Sequence, residues 1–320
     1  MTRFLLMRGL QSLVVLAVMS FVIYGLIGLM PGDPIDLMIS SDPKMTAADA
    51  ARLRTLYGLD IPLYERYWNW LLSALSGDLG YSRLFGQPVL DVLFPALRNS
   101  LMLLGTAFFM AVVIAIPLGT LAAAKPRSAT DYSVNLLAFA GISIPSFWLA
   151  LMLIMFFSVT LGWLPAGGIA PDGSSFLENL RFIVLPAITL TIVSIGSYSR
   201  YVRSSMLEVL RQDYIRTAKA KGASGRRIVW LHGLRNAMIP VVTILALDFG
   251  FLFSGALVTE TIYSWPGMGK LIFDSVMGND FNLALVALLF ATAVTLLGNL
   301  LADLCYAWLD PRIVVGGDET

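Results

Sequence analysis

Charged residues are bunched along this chain, and the stretches between the bunches are apolar and long. No charge occurs between Arg8 and Asp33, Arg98 and Lys125, Asp131 and Asp172, Arg181 and Arg200, or Asp280 and Asp303. A sixth apolar run, Met238 to Thr259, is interrupted only by Asp248. About 20 apolar residues in a helix cross the hydrocarbon core of a bilayer, so each stretch predicts at least one span. The longest, Tyr132 to Pro171, is punctuated by Gly162-Trp-Leu-Pro165 and Ala166-Gly-Gly168, which predict one helix over about 132–161 followed by a loop. The expected spans are about 9–30, 98–123, 132–161, 182–203, 237–260 and 282–305.

Composition agrees with the bilayer reading. Hydrophobic residues are 57% of the 320-residue chain and charged residues 13%, against about 45–50% and about 25% in soluble domains. Such a chain has too little polar surface for water. One cysteine excludes a disulfide scaffold, and the apolar content excludes disorder. The first apolar run is about twice the length of a signal-peptide core and ends in Met30-Pro-Gly-Asp33 without a small-x-small site, so an uncleaved span is expected. Orientation follows from lysine and arginine. With the N-terminus inside, 14 of the 22 basic residues lie on the inner side, and the short outer loops carry only Arg181 and Lys270. The expected fold is all-α and polytopic, with six transmembrane helices, both termini cytoplasmic and a structured outer loop after the first helix. The expected organisation is residues 1–97 (first span and outer loop), 98–310 (a five-helix core containing the inner loop 206–236) and 311–320 (a tail).

The outer loop carries two helix patterns. Thr46 can cap a helix over 47–57 that Gly58 would end. A second helix begins near Pro62, with Tyr64, Trp68, Leu71, Leu72 and Leu75 at helical spacing. It can lie on the bilayer or its own bundle, or it can dock an outside partner. The inner loop is more specific. Leu207, Leu210, Tyr214, Ala218 and Lys221 fall on one helical stripe, Gly222 can take the left-handed turn that ends a helix, and Ser224 can cap the next. This predicts a helix, a tight turn and a second helix, with seven basic and two acidic side chains over 206–235. Positive-inside bias and contact with anionic lipid explain the charge. They do not explain why Ala218, Ala220, Gly222, Ala223, Ser224 and Gly225 are all small. A tip without bulky side chains lets its backbone enter another protein's groove.

Reactive chemistry is not apparent. Pro266-Gly-Met-Gly-Lys270 lacks the earlier glycine and the following Ser/Thr of a phosphate-binding loop, and it falls on the outer side, away from ATP. His232 and Cys305 are the only residues of their kinds, too few for a zinc site, and a catalytic triad would have to use a histidine in the basic loop. No catalytic residues, no metal site and no nucleic-acid surface are expected. Two acids fall at the bilayer. Asp248 is near mid-membrane, where it can line a polar path or hydrogen-bond between helices with its proton retained. Glu260, at the outer end of the same run, reads better as a brace for the outer loop 263–280 than as a solute ligand.

The inner-loop segment Asp213-Tyr-Ile-Arg-Thr-Ala-Lys-Ala-Lys-Gly-Ala-Ser224 with His232-Gly-Leu-Arg-Asn-Ala-Met-Ile-Pro240 resembles the cytoplasmic loop of ABC importer permeases. More narrowly, the chain resembles the dipeptide/oligopeptide/nickel group, through Met30-Pro-Gly-Asp-Pro34, Tyr57-Gly-Leu-Asp60, Gly77-Asp-Leu-Gly80, Ser143-Ile-Pro-Ser-Phe147, Arg203-Ser-Ser-Met206, Glu260-Thr-Ile-Tyr-Ser-Trp-Pro-Gly-Met-Gly269 and Asp310-Pro-Arg312. Arg216 and Thr217 depart from the general signature, which has Glu and Ala there, and Arg235 stands where proline is frequent. The resemblance implies a permease subunit in a bacterial cytoplasmic (inner) membrane. It implies a homologous second permease, two cytoplasmic ABC ATPases that hold ATP and magnesium, and a periplasmic or lipid-anchored solute-binding protein. This chain would bind no cofactor. Tyr214, Ala218, Gly222, Ala223, Ser224 and Arg227 would meet the ATPases. Asp248, Ser143 and Ser197 are candidates for the solute path, and Glu260, Pro266 and Gly267 for an outer gate. The competing expectation is an ion- or proton-coupled carrier using Asp248 and Glu260 without ATPases.

Overall fold

A computed structural model describes residues 2–29, 61–171, 173–251 and 256–309. The expected helix 47–57, with Thr46 and Gly58, and the tail 311–320 lie outside the described residues. The elements are helices: α1 (Thr2–Gly28), α2 (Leu63–Leu75), α3 (Val89–Ala124), α4 (Ala129–Ser143), α5 (Ser146–Leu153), α6 (Phe176–Val209), α7 (Asp213–Ala220), α8 (Leu234–Phe251), α9 (Leu257–Ile262), α10 (Met268–Met277) and α11 (Phe281–Leu309). Among the described residues the only β pairing is an isolated bridge between Tyr81 and Pro88.

Five described helical stretches are long and apolar enough to cross a membrane, and α4 with α5 makes a sixth if that bent pair is one span. The expected single helix over 132–161 is therefore corrected. Its two halves meet at 97°. Proline has no N–H and disfavours helical geometry in the residue before it. Ile144 is accordingly extended (φ −79°, ψ 122°), and Pro145 opens α5. The second half then loosens into a π-helical stretch, Ile154–Thr160, that stops before Gly162.

The chain divides into two compact units, residues 1–97 with 271–294 and residues 98–270 with 295–320. In the first, Ile23 and Ile27 of α1 bury against Ala284 and Leu285 of α11. α2 lies along α1: the Tyr67 hydroxyl is 2.7 Å from Ser20 Oγ, and its ring stacks edge-on with Phe21 and Tyr24. Tyr64, Trp68, Leu72 and Leu75 remain exposed on the other side of α2. The loop after α2 is latched to the corner between α10 and α11. Buried Asp280 accepts from Ser82 Oγ at 2.5 Å and from the Leu84 N–H at 2.9 Å, and Asn282 Nδ2 donates to the Leu79 and Tyr81 carbonyls.

The second unit is built around α6. Ser175 and Glu178 form a reciprocal cap at its start. Its Tyr198, Val202 and Met206 pack with Ala111 and Ala115 of α3 and Ala237 and Val241 of α8. α4 approaches α6 closely through two glycines: a Cβ on Gly141 would stand 2.8 Å from the Ile192 carbonyl oxygen, and one on Gly196 2.6 Å from that of Ala138. Small residues at such crossings let membrane helices touch backbone to backbone.

Candidate functional site

Loop 206–236 leaves α6 at Val209 and does not continue as one helix. Residues 210–212 turn, and α7 restarts at Asp213 behind an extended Gln212 (ψ 152°). The single stripe expected from Leu207 to Lys221 is thus split. The period survives across the break, but the helix does not: the Arg211 and Gln212 N–H groups donate three positions back, to the Glu208 and Val209 carbonyls at 3.2 and 3.1 Å, in a tight turn.

The tip follows the expected geometry. Gly222 has φ +79°. Its N–H donates to the Lys219 carbonyl at 3.0 Å, and the Ala223 N–H donates to the Ala218 carbonyl at 3.1 Å. These two bonds close the end of α7 in a Schellman motif. Ser224 then turns extended and its Oγ accepts from the Arg227 N–H, opening a short turn, Gly225–Arg227, that runs through a π-helical stretch, Ile228–Gly233, into α8. Ile215 and Ile228 are buried, so the two arms of the hairpin are anchored to the unit. Gly222, Ser224 and Arg227 are exposed, Ala218 and Ala223 are half-buried, and Tyr214 is 45% exposed.

The base of this loop carries an ion pair that sequence reasoning missed. Asp131, at the first turn of α4, is buried and accepts both arms of the Arg203 guanidinium, Nε at 2.5 Å and Nη2 at 2.8 Å. The Arg127 N–H and Asn135 Nδ2 complete its shell at 2.8 and 2.7 Å. A bidentate pair with every lone pair occupied ties the start of α4 to the end of α6. The available signal was a lone acid beside Lys125 and Arg127.

A second constellation surrounds Glu260. Its side chain is fully buried. One oxygen accepts from Ser100 Oγ at 2.5 Å and from the Ala256 N–H at 3.3 Å, and the other accepts from the Lys270 N–H at 3.0 Å, in the first turn of α10. Ser100 Oγ in turn accepts from the Met268 N–H at 2.7 Å. Gly267 lies on this carboxylate so closely that a Cβ would come within 2.5 Å of both Glu260 Cδ and Ser100 Oγ. Around it, Asn99 Nδ2 donates to the Pro266 carbonyl and Trp265 Nε1 to the Asn99 carbonyl, each at 3.0 Å. The Tyr263 hydroxyl meets Thr189 Oγ1 at 2.9 Å, and the Gly168 N–H donates to the Tyr263 carbonyl at 2.7 Å. Glu260, Pro266 and Gly267 are thus brought together and bolted to α3 and α6. Asn99, Ser100 and Thr189 are the partners that the sequence reading did not name, whereas Tyr263 and Trp265 stood in the motif 260–269.

Of the three path candidates, only Ser197 is among the residues lining the cavity of about 480 Å³ beside α4 and α6. Ser143 is exposed at the bend between α4 and α5. Asp248 is half-buried on α8 beside Tyr198, whose ring packs in the core of the unit. No group of three or more metal-ligating side chains occurs among the described residues.

Two family models cover nearly the whole chain. Residues 115–315 match the binding-protein-dependent transport system inner membrane component, and residues 1–112 match the N-terminal part of such membrane components. The chain belongs to this family. The permease is 39% identical over 316 residues to the oligopeptide transport system permease protein AppB of Bacillus subtilis, covering 98% of this chain and 99% of that one. It is also 39% identical over 316 residues to the di/tripeptide transport system permease protein DppB of Pseudomonas aeruginosa, covering 91% and 92%. To the glutathione transport system permease protein GsiC of Escherichia coli it is 36% identical over 313 residues, covering 98% and 99%. Its fold resembles a chain of the MetNI methionine ABC transporter in an inward-facing conformation, with TM-score 0.56 at 19% identity, over 70% of this chain and 98% of that one. The permease is therefore an inner-membrane component of a binding-protein-dependent transport system.

Proposed function

We propose that this permease forms one half of the path of an ATP-driven importer of peptides or a related small solute. Solute arrives from a binding protein on the outer side. A second, homologous permease completes the path, and two cytoplasmic ATPases, holding ATP and magnesium, grip loop 206–236 of this chain and its counterpart. The permease itself contributes no catalytic step. The observation that carries this reading is the tip of the loop. A Schellman turn and a serine cap present the small residues 222–225 on a hairpin whose arms are anchored by Ile215 and Ile228. Such a hairpin moves as a rigid body when an attached partner moves. The peptide class is supported by the relatives that are 39% identical over nearly full length.

Co-purification tests the reading. The permease expressed with its neighbouring subunits should bring down two ATPases, and their hydrolysis should rise when loaded binding protein is added. A carrier driven by ions or protons would transport without them. Orientation has its own test, in a Cys305→Ser background. An impermeant thiol reagent added to intact cells should label a cysteine at Ser174 and leave one at Ser224 silent, and labelling at Ser224 would overturn the six-span arrangement.

We assign Asp248 as a tie between helices, because it is half-buried beside Tyr198, whose ring packs in the core of the unit. Asp248→Asn keeps a hydrogen-bonding group and removes the charge. Uptake should stay within about twofold of wild type. Lost uptake in a complex that still assembles and hydrolyses ATP would return Asp248 to the path.

A further inference from the structure

The cavity beside Ser197 is lined mostly by polar side chains. α6 contributes Ser197, Tyr201 and Ser204, and α4 contributes Asn135 and Phe139. Among the described residues, none of the three α6 hydroxyls hydrogen-bonds another protein group. Two arginines enter the cavity, and they differ. The guanidinium of Arg203 is occupied by Asp131. That of Arg200 is exposed, stands 5.0 Å over the ring of Phe139, and meets no carboxylate among the described residues.

Position sharpens the contrast. Phe139 lies eight residues farther along α4 than Asp131, about 12 Å along the helix axis. Arg200 therefore reaches away from the charged edge marked by Arg127, Asp131 and Arg203. A cation that faced lipid would snorkel toward that edge. α6 is long and apolar enough to span a membrane, and ionisable groups on such helices face water or an anion, because a guanidinium in hydrocarbon is costly. A volume of about 480 Å³ is in the range of small-ligand sites, roughly 300–1,000 Å³.

We propose that this cavity is a carboxylate site in the solute path, in which Arg200 receives the C-terminal carboxylate of a peptide. The planar guanidinium offers two parallel N–H donors to the two carboxylate oxygens. Phe139 supports its opposite face. The hydroxyls of Ser197 and Tyr201 donate to whatever lone pairs remain. The site rests on the peptide-importer reading and adds to it the part of the solute that this chain recognises.

The test uses the assembled complex in nanodiscs, in a Cys305→Ser background with Ser204→Cys as reporter. Trialanine and its C-terminal amide are the probes. A water-soluble maleimide should label the reporter. Millimolar trialanine should slow labelling about tenfold, and the amide, which lacks a charge-assisted contact worth about tenfold in affinity, should slow it little. Arg200→Gln should abolish that difference, and Arg200→Lys should retain part of it. An unreactive reporter would mean that lipid or the sister permease covers the cavity, and the proposal falls. Equal protection by acid and amide also overturns it. So does protection without peptide in phosphatidylglycerol nanodiscs but not in phosphatidylcholine ones, since the site would then hold a lipid headgroup. ATP hydrolysis stimulated by loaded binding protein is measured on the parent complex. If it is present and labelling ignores the carboxylate, only the site is wrong. If ATPases neither co-purify nor respond, the importer reading itself fails.

Discussion

Gly222→Val is expected to abolish uptake while the permease reaches the membrane at its normal level. Gly222 has φ +79°, and a Cβ there would meet nothing within 4 Å, so the cost is backbone strain rather than collision. A left-handed residue costs an ordinary side chain about 1–2 kcal/mol, and a β-branched one more. Relieving the strain breaks the Gly222 and Ala223 N–H bonds that close α7. Even about 2 kcal/mol shifts the populations of the tip roughly thirtyfold. The spans are untouched, so insertion should be normal. The ATPases should bind weakly or hydrolyse ATP without stimulation by loaded binding protein. Ala223→Trp should do the same by bulk, whereas Gly222→Asn, which tolerates the left-handed region, should be mild. Membrane level by immunoblot, ATPase stimulation and uptake are the measurements. Normal stimulated hydrolysis and uptake in both Gly222→Val and Ala223→Trp would remove loop 206–236 from coupling.

The difference between what was legible in the sequence and what was not is one of range. The spans were legible because charge is excluded from hydrocarbon, so Arg8, Arg98, Lys125, Arg181 and Asp280 mark edges without any knowledge of neighbours. The tip was legible because Gly222 and Ser224 act through bonds to residues at most five positions away. The bend at Ile144 was not read, although Pro145 was in view, because hydropathy counts residues and carries no direction. The break after Val209 was hidden by a stripe whose period happens to continue across it. The Glu260 cage was half legible. Its loop could be named, but Ser100 is 160 positions away and Thr189 is 74 positions from Tyr263. Asp131 and Arg203, 72 apart, were each read as the end of a span, and only the close approach of α4 and α6 makes them a pair.

Glu260→Ala should loosen the segment 256–270 more than any other single change there. It strips an acceptor from Ser100 Oγ, the Ala256 N–H and the Lys270 N–H in a place with no exposed surface. Orphaning buried donors that served a carboxylate costs about 3 kcal/mol, which should lower the melting temperature of the purified complex by several degrees. Ser264, exposed at φ +48° beside the buried Trp265, is where the loosened loop should be nicked by protease, while wild type stays intact. Gly267→Ala attacks the same cage from the other side, because its methyl would have to displace the Glu260 carboxylate and Ser100. It should melt early and be cut at the same place. Glu260→Gln should fall between wild type and Glu260→Ala. Its oxygen can still accept from Ser100, but its amide then presents a donor to the Lys270 N–H, and one bond is lost rather than three. Unchanged melting and unchanged protease resistance in both Glu260→Ala and Gly267→Ala would mean that the cage does not hold the loop. Loss of uptake in Glu260→Gln with wild-type stability would instead give the carboxylate a role in transport beyond bracing.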